Sequence, residues 1–165
     1  MRKALAAAFA ASLCVAPAVA QYGRLTPPDA MLGLFSRACV AGAPTFSTFV
    51  PLLAKRERWD PLGLSKTARP GDQGWLVSVG GQPAIVDIHR PTPTTQTCSV
   101  SAVTAPSALV ASMTKRQGHK ADMERTQVGG LVKGWTRTIE KRPVSITVPT
   151  DGRAMARITI AAGGR

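Results

Sequence analysis

The chain has 165 residues, with 21 Lys and Arg against 9 Asp and Glu, a formal charge of +12. Its 44% hydrophobic content is that of a folded globular chain and excludes an intrinsically disordered one. Three cysteines are too few for a small disulfide-dense scaffold.

Arg2 and Lys3 precede a charge-free run from Ala4 to Ala16, followed by Pro17 and Ala18-Val19-Ala20. This is the pattern of a secretory signal peptide, residues 1–20, with cleavage predicted after Ala20. The apolar run is too short to cross about 30 Å of hydrocarbon. Leu13, next to Cys14, is too bulky for a lipoprotein signal. No later stretch has the composition of a membrane span. Cleavage removes Arg2, Lys3 and Cys14. The mature chain, 21–165, is read as one domain of formal charge +10 with two cysteines, Cys39 and Cys98. In an oxidising compartment two such cysteines most simply pair.

After a short tail, Thr26-Pro27-Pro28-Asp29 reads as a helix start with Thr26 as N-cap. That helix carries Met31, Leu34, Phe35 and Ala38 on one face and ends near Gly42, with Cys39 in its last turn. Phe46, Phe49, Val50 and Leu53 have the spacing of a second buried helical stripe, and Pro51 predicts a kink or an early break within it. Lys55-Arg56-Glu57-Arg58 closes it with net positive charge, favourable at a helix C-terminus. Asp60 to Gln73 has two Pro, two Gly and no period, and reads as a loop.

Beyond it the period changes to two. Trp75–Val79, a Gly80-Gly81 turn and Ala84–His89 form a hairpin, and Pro91-Thr92-Pro93 links to a strand Thr95–Val103. Thr104-Ala105-Pro106 opens a helix bearing Leu109, Val110 and Met113 and ending at Gly118. Strands Arg125–Val128, Leu131–Ile139, Val144–Val148 and, past an Asp151-Gly152 turn, Ala154–Ile160 complete the chain. No internal repeat stands out beyond a loose recurrence of helix followed by strands. The order α-α-β-β-β-α-β-β-β-β predicts an α+β two-layer sandwich, an antiparallel sheet with its helices on one face. Cys98 falls on the apolar side of its strand, so a Cys39–Cys98 disulfide would clamp the first helix to the inner face.

Two surfaces could carry chemistry. Alternation turns Asp87 and His89 outward together, beside Thr95, Thr97, Ser99 and Ser101. An Asp-x-His pair can share a proton or half-bind a metal, but three or four ligands are needed and only His119 remains, so neither metal nor cofactor is expected. The plainer reading is a solvated strand edge. On the other surface Lys133, Trp135 and Arg137 share one strand face, and Arg153 and Arg157 share the polar face of the last strand. Cations beside an aromatic ring can hold anionic groups while the ring stacks on a sugar or base. The plainer reading there is Trp135 in the core with the cations at its rim. His119, Asp122 and Glu124 form an exposed linker. No Gly-x-Ser-x-Gly, Walker loop, Gly-x-Gly-x-x-Gly or His-Glu-x-x-His occurs.

Phe35-x-x-x-Cys39-Val40-x-Gly42-x-Pro44, a short helix ending at a Trp, and a single strand Cys at 98 together resemble small uncharacterised secreted or periplasmic two-cysteine proteins of Gram-negative bacteria. The resemblance covers about half the mature chain and implies a location and a fold habit, with no functional residues to carry over. The expected function is a non-enzymatic, disulfide-stabilised binding or accessory module for an anionic envelope component or an acidic protein, with nucleic acid less favoured. The alternative is a small cell-envelope hydrolase whose acid/base residues are dispersed in sequence.

Overall fold

Strand alternation decides the architecture, because every strand from Trp75 onward that has one apolar side must bury it against the same helices. The computed structural model describes residues 24–43, 45–63, 69–127, 130–139, 141–149 and 155–163. The leader predicted over residues 1–20, Arg153 and the turn predicted at Asp151-Gly152 lie outside the described residues.

The elements run α1 (Pro28–Phe35, continued by a wide π turn Ser36–Val40), α2 (Phe46–Glu57), β1 (Asp60–Pro61), β2 (Gln73–Val79), β3 (Gln82–Thr92), β4 (Thr95–Val103), α3 (Pro106–Gln117), β5 (Met123–Gln127), β6 (Gly130–Ile139), β7 (Arg142–Pro149) and β8 (Met155–Gly163). The sheet is antiparallel throughout, in the order β1-β2-β3-β4-β8-β7-β6-β5. The expected α+β fold, with helices on one face of an antiparallel sheet, is the one observed. Each half of the chain is helix followed by a four-stranded meander, and the last strands of the halves, β4 and β8, pair at the centre. That symmetry sharpens the loose recurrence seen in the sequence.

Register places Val86, Val100, Ile158 and the Cys98–Ile160 pair on the inner face, with Ile146 beside Trp135 further out. Against them pack Met31, Leu34 and Phe35 of α1, Phe46, Val50 and Leu53 of α2, and Leu109 and Met113 of α3, all buried in one core cluster. Cys39, in the π turn, bonds to Cys98 on β4 across a Cα separation of 5.5 Å, the usual span for a disulfide.

Local expectations fare unevenly. Thr26 is not the N-cap: Pro27 takes that position, and the Thr26 N–H donates instead to the Val103 carbonyl at 2.7 Å, stitching the tail to β4. Pro51 does not break α2, which runs on to Glu57 although proline has no N–H to donate to the Ser47 carbonyl. Burial of Phe46 and Val50 before the proline and Leu53 and Ala54 after it holds both halves to one core. The Asp60–Gln73 loop contains the short edge strand β1, which pairs with Trp75 and Leu76. Two residues are too few to show a period.

Candidate functional site

The outer face of the sheet is set by the same alternation. One register row crosses it as Gly74, Asp87, Ser99, Thr159, Thr147, Gly134 and Met123, and the neighbouring row carries His89, Thr97, Ala161, Ser145 and Thr136. Small and hydroxylated side chains fill most positions, so the few charged groups stand out and find one another.

Asp87 and His89 do project together, but they are not a solvated edge. His89 Nε2 lies 3.0 Å from Asp87 Oδ1, and Nδ1 lies 3.2 Å from Oδ2 of a second carboxylate, Asp72. Asp72 is held in place by a turn. Arg69-Pro70-Gly71-Asp72 closes with the Asp72 N–H on the Arg69 carbonyl, Gly71 at φ +91°, the conformation a type II turn asks of glycine at that position. The Asp72 carboxylate accepts from the backbone N–H groups of Arg69 (3.0 Å) and Arg90 (3.1 Å). Arg69 in turn donates to the Arg90 and Pro91 carbonyls, tying the turn to the end of β3.

On the other side Arg157 of β8 reaches over β4. Its guanidinium donates to Asp87 and to Ser99 Oγ (3.0 Å), and Ser99 also meets Thr159 Oγ1 at 3.0 Å. Burial of Ser99 and Asp87 beneath Arg157 is why this outward-facing strand segment is not open to water. Thr97 is half-buried with its hydroxyl 3.5 Å from the His89 carbonyl, and Thr95 is half-buried near the strand's start.

The two carboxylates are driven in opposite directions. Burial pushes Asp87 above the ordinary carboxylate value, and the attraction of Arg157 and His89 does not fully offset it. Burial also acts upward on Asp72, but the Arg69 and Arg90 amides and the His89 ring outweigh it and bring that group below its ordinary value.

Chemically the cluster is closed on itself. Asp72 and Asp87 sit at opposite edges of the imidazole, so the three groups do not converge on a common point, and no metal-binding group of three exists among the described residues. Ser99 is engaged by Arg157 and Thr159 rather than by His89, so the described residues of this cluster form no Ser-His-Asp relay.

The basic and aromatic residues do not form one surface. Trp135 is 1% exposed, paired in register with Ile146 on the inner face, with its indole N–H 3.4 Å from the His119 carbonyl. Its ring therefore offers nothing to stack on, and Arg157 lies on the opposite face of the sheet. Arg137 is exposed at the rim of the inner face.

Lys133 has different company. It lines a surface groove of about 590 Å³ between α3 and the β5–β6 edge, together with Lys115 of α3 and Lys120 of the following linker. Val110, Ala111 and Ala121 add apolar lining, and among the described residues Glu124 is the one acid lining it, 3.2 Å from Lys133 Nζ. The residues missed from sequence are thus Asp72, Lys115 and Lys120. A Pro-Gly turn signal stood beside Asp72, whereas Lys115 sits in the last turn of α3, where cations are favoured anyway, and Lys120 falls in the exposed linker beyond Gly118. Comparison with protein-family profiles, curated proteins and solved structures finds no match to this chain.

Proposed function

We propose that the protein is an exported, non-enzymatic binding module whose partner is anionic, and that the lysine groove between α3 and the β5–β6 edge is the contact. The observation that carries this reading is the grouping of Lys115, Lys120 and Lys133 around one cavity, against a single acid among the described lining residues, Glu124. A cavity of that size is in the range that takes a small ligand. Export rests on the leader pattern of residues 1–20, and fits a buried disulfide and the lack, among the described residues, of any helix long and apolar enough to cross a membrane.

The test is retention on immobilised heparin and lipopolysaccharide. Replacing Lys115, Lys120 and Lys133 with Gln should weaken it sharply. A control of equal net charge, Arg24→Gln with Lys55→Gln and Lys141→Asn, should bind nearly as the parent does. Equal losses in the two would reduce the groove to general basicity. Mass spectrometry of the exported protein should find a chain beginning at Gln21, and a retained leader would overturn the export argument.

A second reading, the small cell-envelope hydrolase, draws on one observation: two carboxylates on one histidine, pushed to opposite sides of their ordinary value. Every ring nitrogen is already partnered, which leaves His89 no free position toward a substrate. Hydrolysis of envelope polymers that disappears in Asp87→Asn, with the fold retained, would favour it over binding.

A further inference from the structure

We infer that the groove takes an anionic amphiphile, a molecule with a phosphate-type head and a short alkyl tail; this rests on the anion-binding reading above. Charge alone would need only the lysines. The groove also has apolar lining, with Val110 and Ala121 packed onto the core and Ala111 exposed on α3. Among the described residues none that lines it is aromatic, and the nearby Trp135 is buried. A nucleobase or sugar ring would find no stacking partner, whereas an alkyl chain needs only contact with Val and Ala. The cations are lysines, compact point charges without the planar fork of arginine, which suits a phosphate head approached from several directions. Thr114, half-buried on α3 in the groove lining, adds a hydroxyl that can donate to the head.

Glu124 makes the idea sharply testable. It neutralises Lys133 at 3.2 Å while remaining 54% exposed, so an incoming anion must compete with it, and its removal should disturb the fold little. Glu124→Gln should therefore tighten binding of an anion, an outcome that a purely structural ion pair does not produce.

The experiment is calorimetric titration of the disulfide-intact protein with dodecyl phosphate below its micelle concentration. Inorganic phosphate, dodecyl maltoside and polyglutamate serve as comparison ligands. Saturable one-to-one binding of dodecyl phosphate is expected, with inorganic phosphate and the maltoside each weaker by about tenfold or more, since the lost apolar contact or the lost charge pairing each approaches one decade in affinity. Lys115→Gln with Lys133→Gln should weaken binding by about tenfold. Ala111→Asp should weaken it further, and Glu124→Gln should strengthen it.

If inorganic phosphate binds as well as dodecyl phosphate, the amphiphile is wrong and the anion site stands. If polyglutamate binds more tightly through the same lysines, the occupant is an acidic protein and the amphiphile is again overturned. If Glu124→Gln leaves affinity for dodecyl phosphate unchanged, this groove is not where it binds. If no anion binds the folded protein, this inference and the proposed function both fall. A lowered melting midpoint in Ala111→Asp removes that variant from the test, and Glu124→Gln then decides between the groove and another site.

Discussion

Arg157 on β8 donates to Asp87 on β3, although the two strands are not neighbours: the guanidinium lies across Ser99 on the strand between them. The span works because position 99 is a serine, small enough to pass beneath and able to accept a hydrogen bond on the way. Three strands of the sheet's centre are tied together on the side the helices do not cover.

Arg157→Met keeps the covering stem and removes the charge, leaving Asp87 buried without its strongest partner. Unfolding in urea should show a loss of about 1–3 kcal/mol, the cost of stranding a buried acceptor. Adding Asp87→Asn to Arg157→Met should recover part of that loss, because the unpaired charge goes with it. Additive losses in the double variant would mean that the two residues are not coupled.

Acid should separate the two carboxylates. Asp72 titrates below its ordinary value of 3.8 in the folded protein, so its contribution is complete above 3.8 and is lost as pH falls through the lower folded value. Asp87 titrates above 3.8, so its contribution is complete below 3.8 and is lost as pH rises through the higher folded value. Relative to the parent, Asp72→Asn should therefore become less stable as pH rises toward 3.8, and Asp87→Asn more stable as pH rises above it. Denaturation midpoints measured across this range check both signs, and parallel curves for the two variants would contradict them.

Cys39 and Cys98 are both buried and 59 residues apart. The native oxidised protein should therefore resist alkylation, and a peptide map should join the two. In the chain-entropy view, closing such a loop stabilises by about 4 kcal/mol, so the Cys39→Ala/Cys98→Ala variant should show a large drop in melting midpoint. Two alkylated thiols in the native state without reductant would contradict the clamp between the first helix and the sheet.

Two glycines should differ in their tolerance of a methyl group. At Gly42 an added Cβ would come within 2.7 Å of the Ala38 carbonyl oxygen and 2.9 Å of the Phe49 ring, and backbone does not yield readily. At Gly134 the close atom, at 2.7 Å, is the terminal methyl of Met123, which can swing aside. Gly42→Ala should cost about 1–3 kcal/mol, as overpacking usually does, and Gly134→Ala clearly less. Thermal melts of the two single variants decide it, and a reversed order would show that the edge strand is more rigid than the helix connection.

What was legible in the sequence is what local chemistry dictates. Period-two runs mark strands because each must bury one side, so the boundaries of Thr95–Val103 and of the helix ending at Gly118 could be read from alternation, proline and glycine. The outward projection of Asp87 and His89 followed from the same alternation, as did the inward projection of Cys98. Position in the sheet was not legible. Which strands lie at the centre depends on β4 meeting β8, a pairing between residues more than fifty positions apart that no local pattern encodes. That one pairing brings Arg157 over Ser99 to Asp87 and so turns an apparent solvated edge into a charge network with buried carboxylates under a partly exposed rim. The same long-range packing sends Trp135 into the core and leaves Lys133 beside Lys115 and Lys120. Chain geometry within a few residues chooses faces, but only the closing of distant segments, driven by burial of their common apolar side, decides which charges meet.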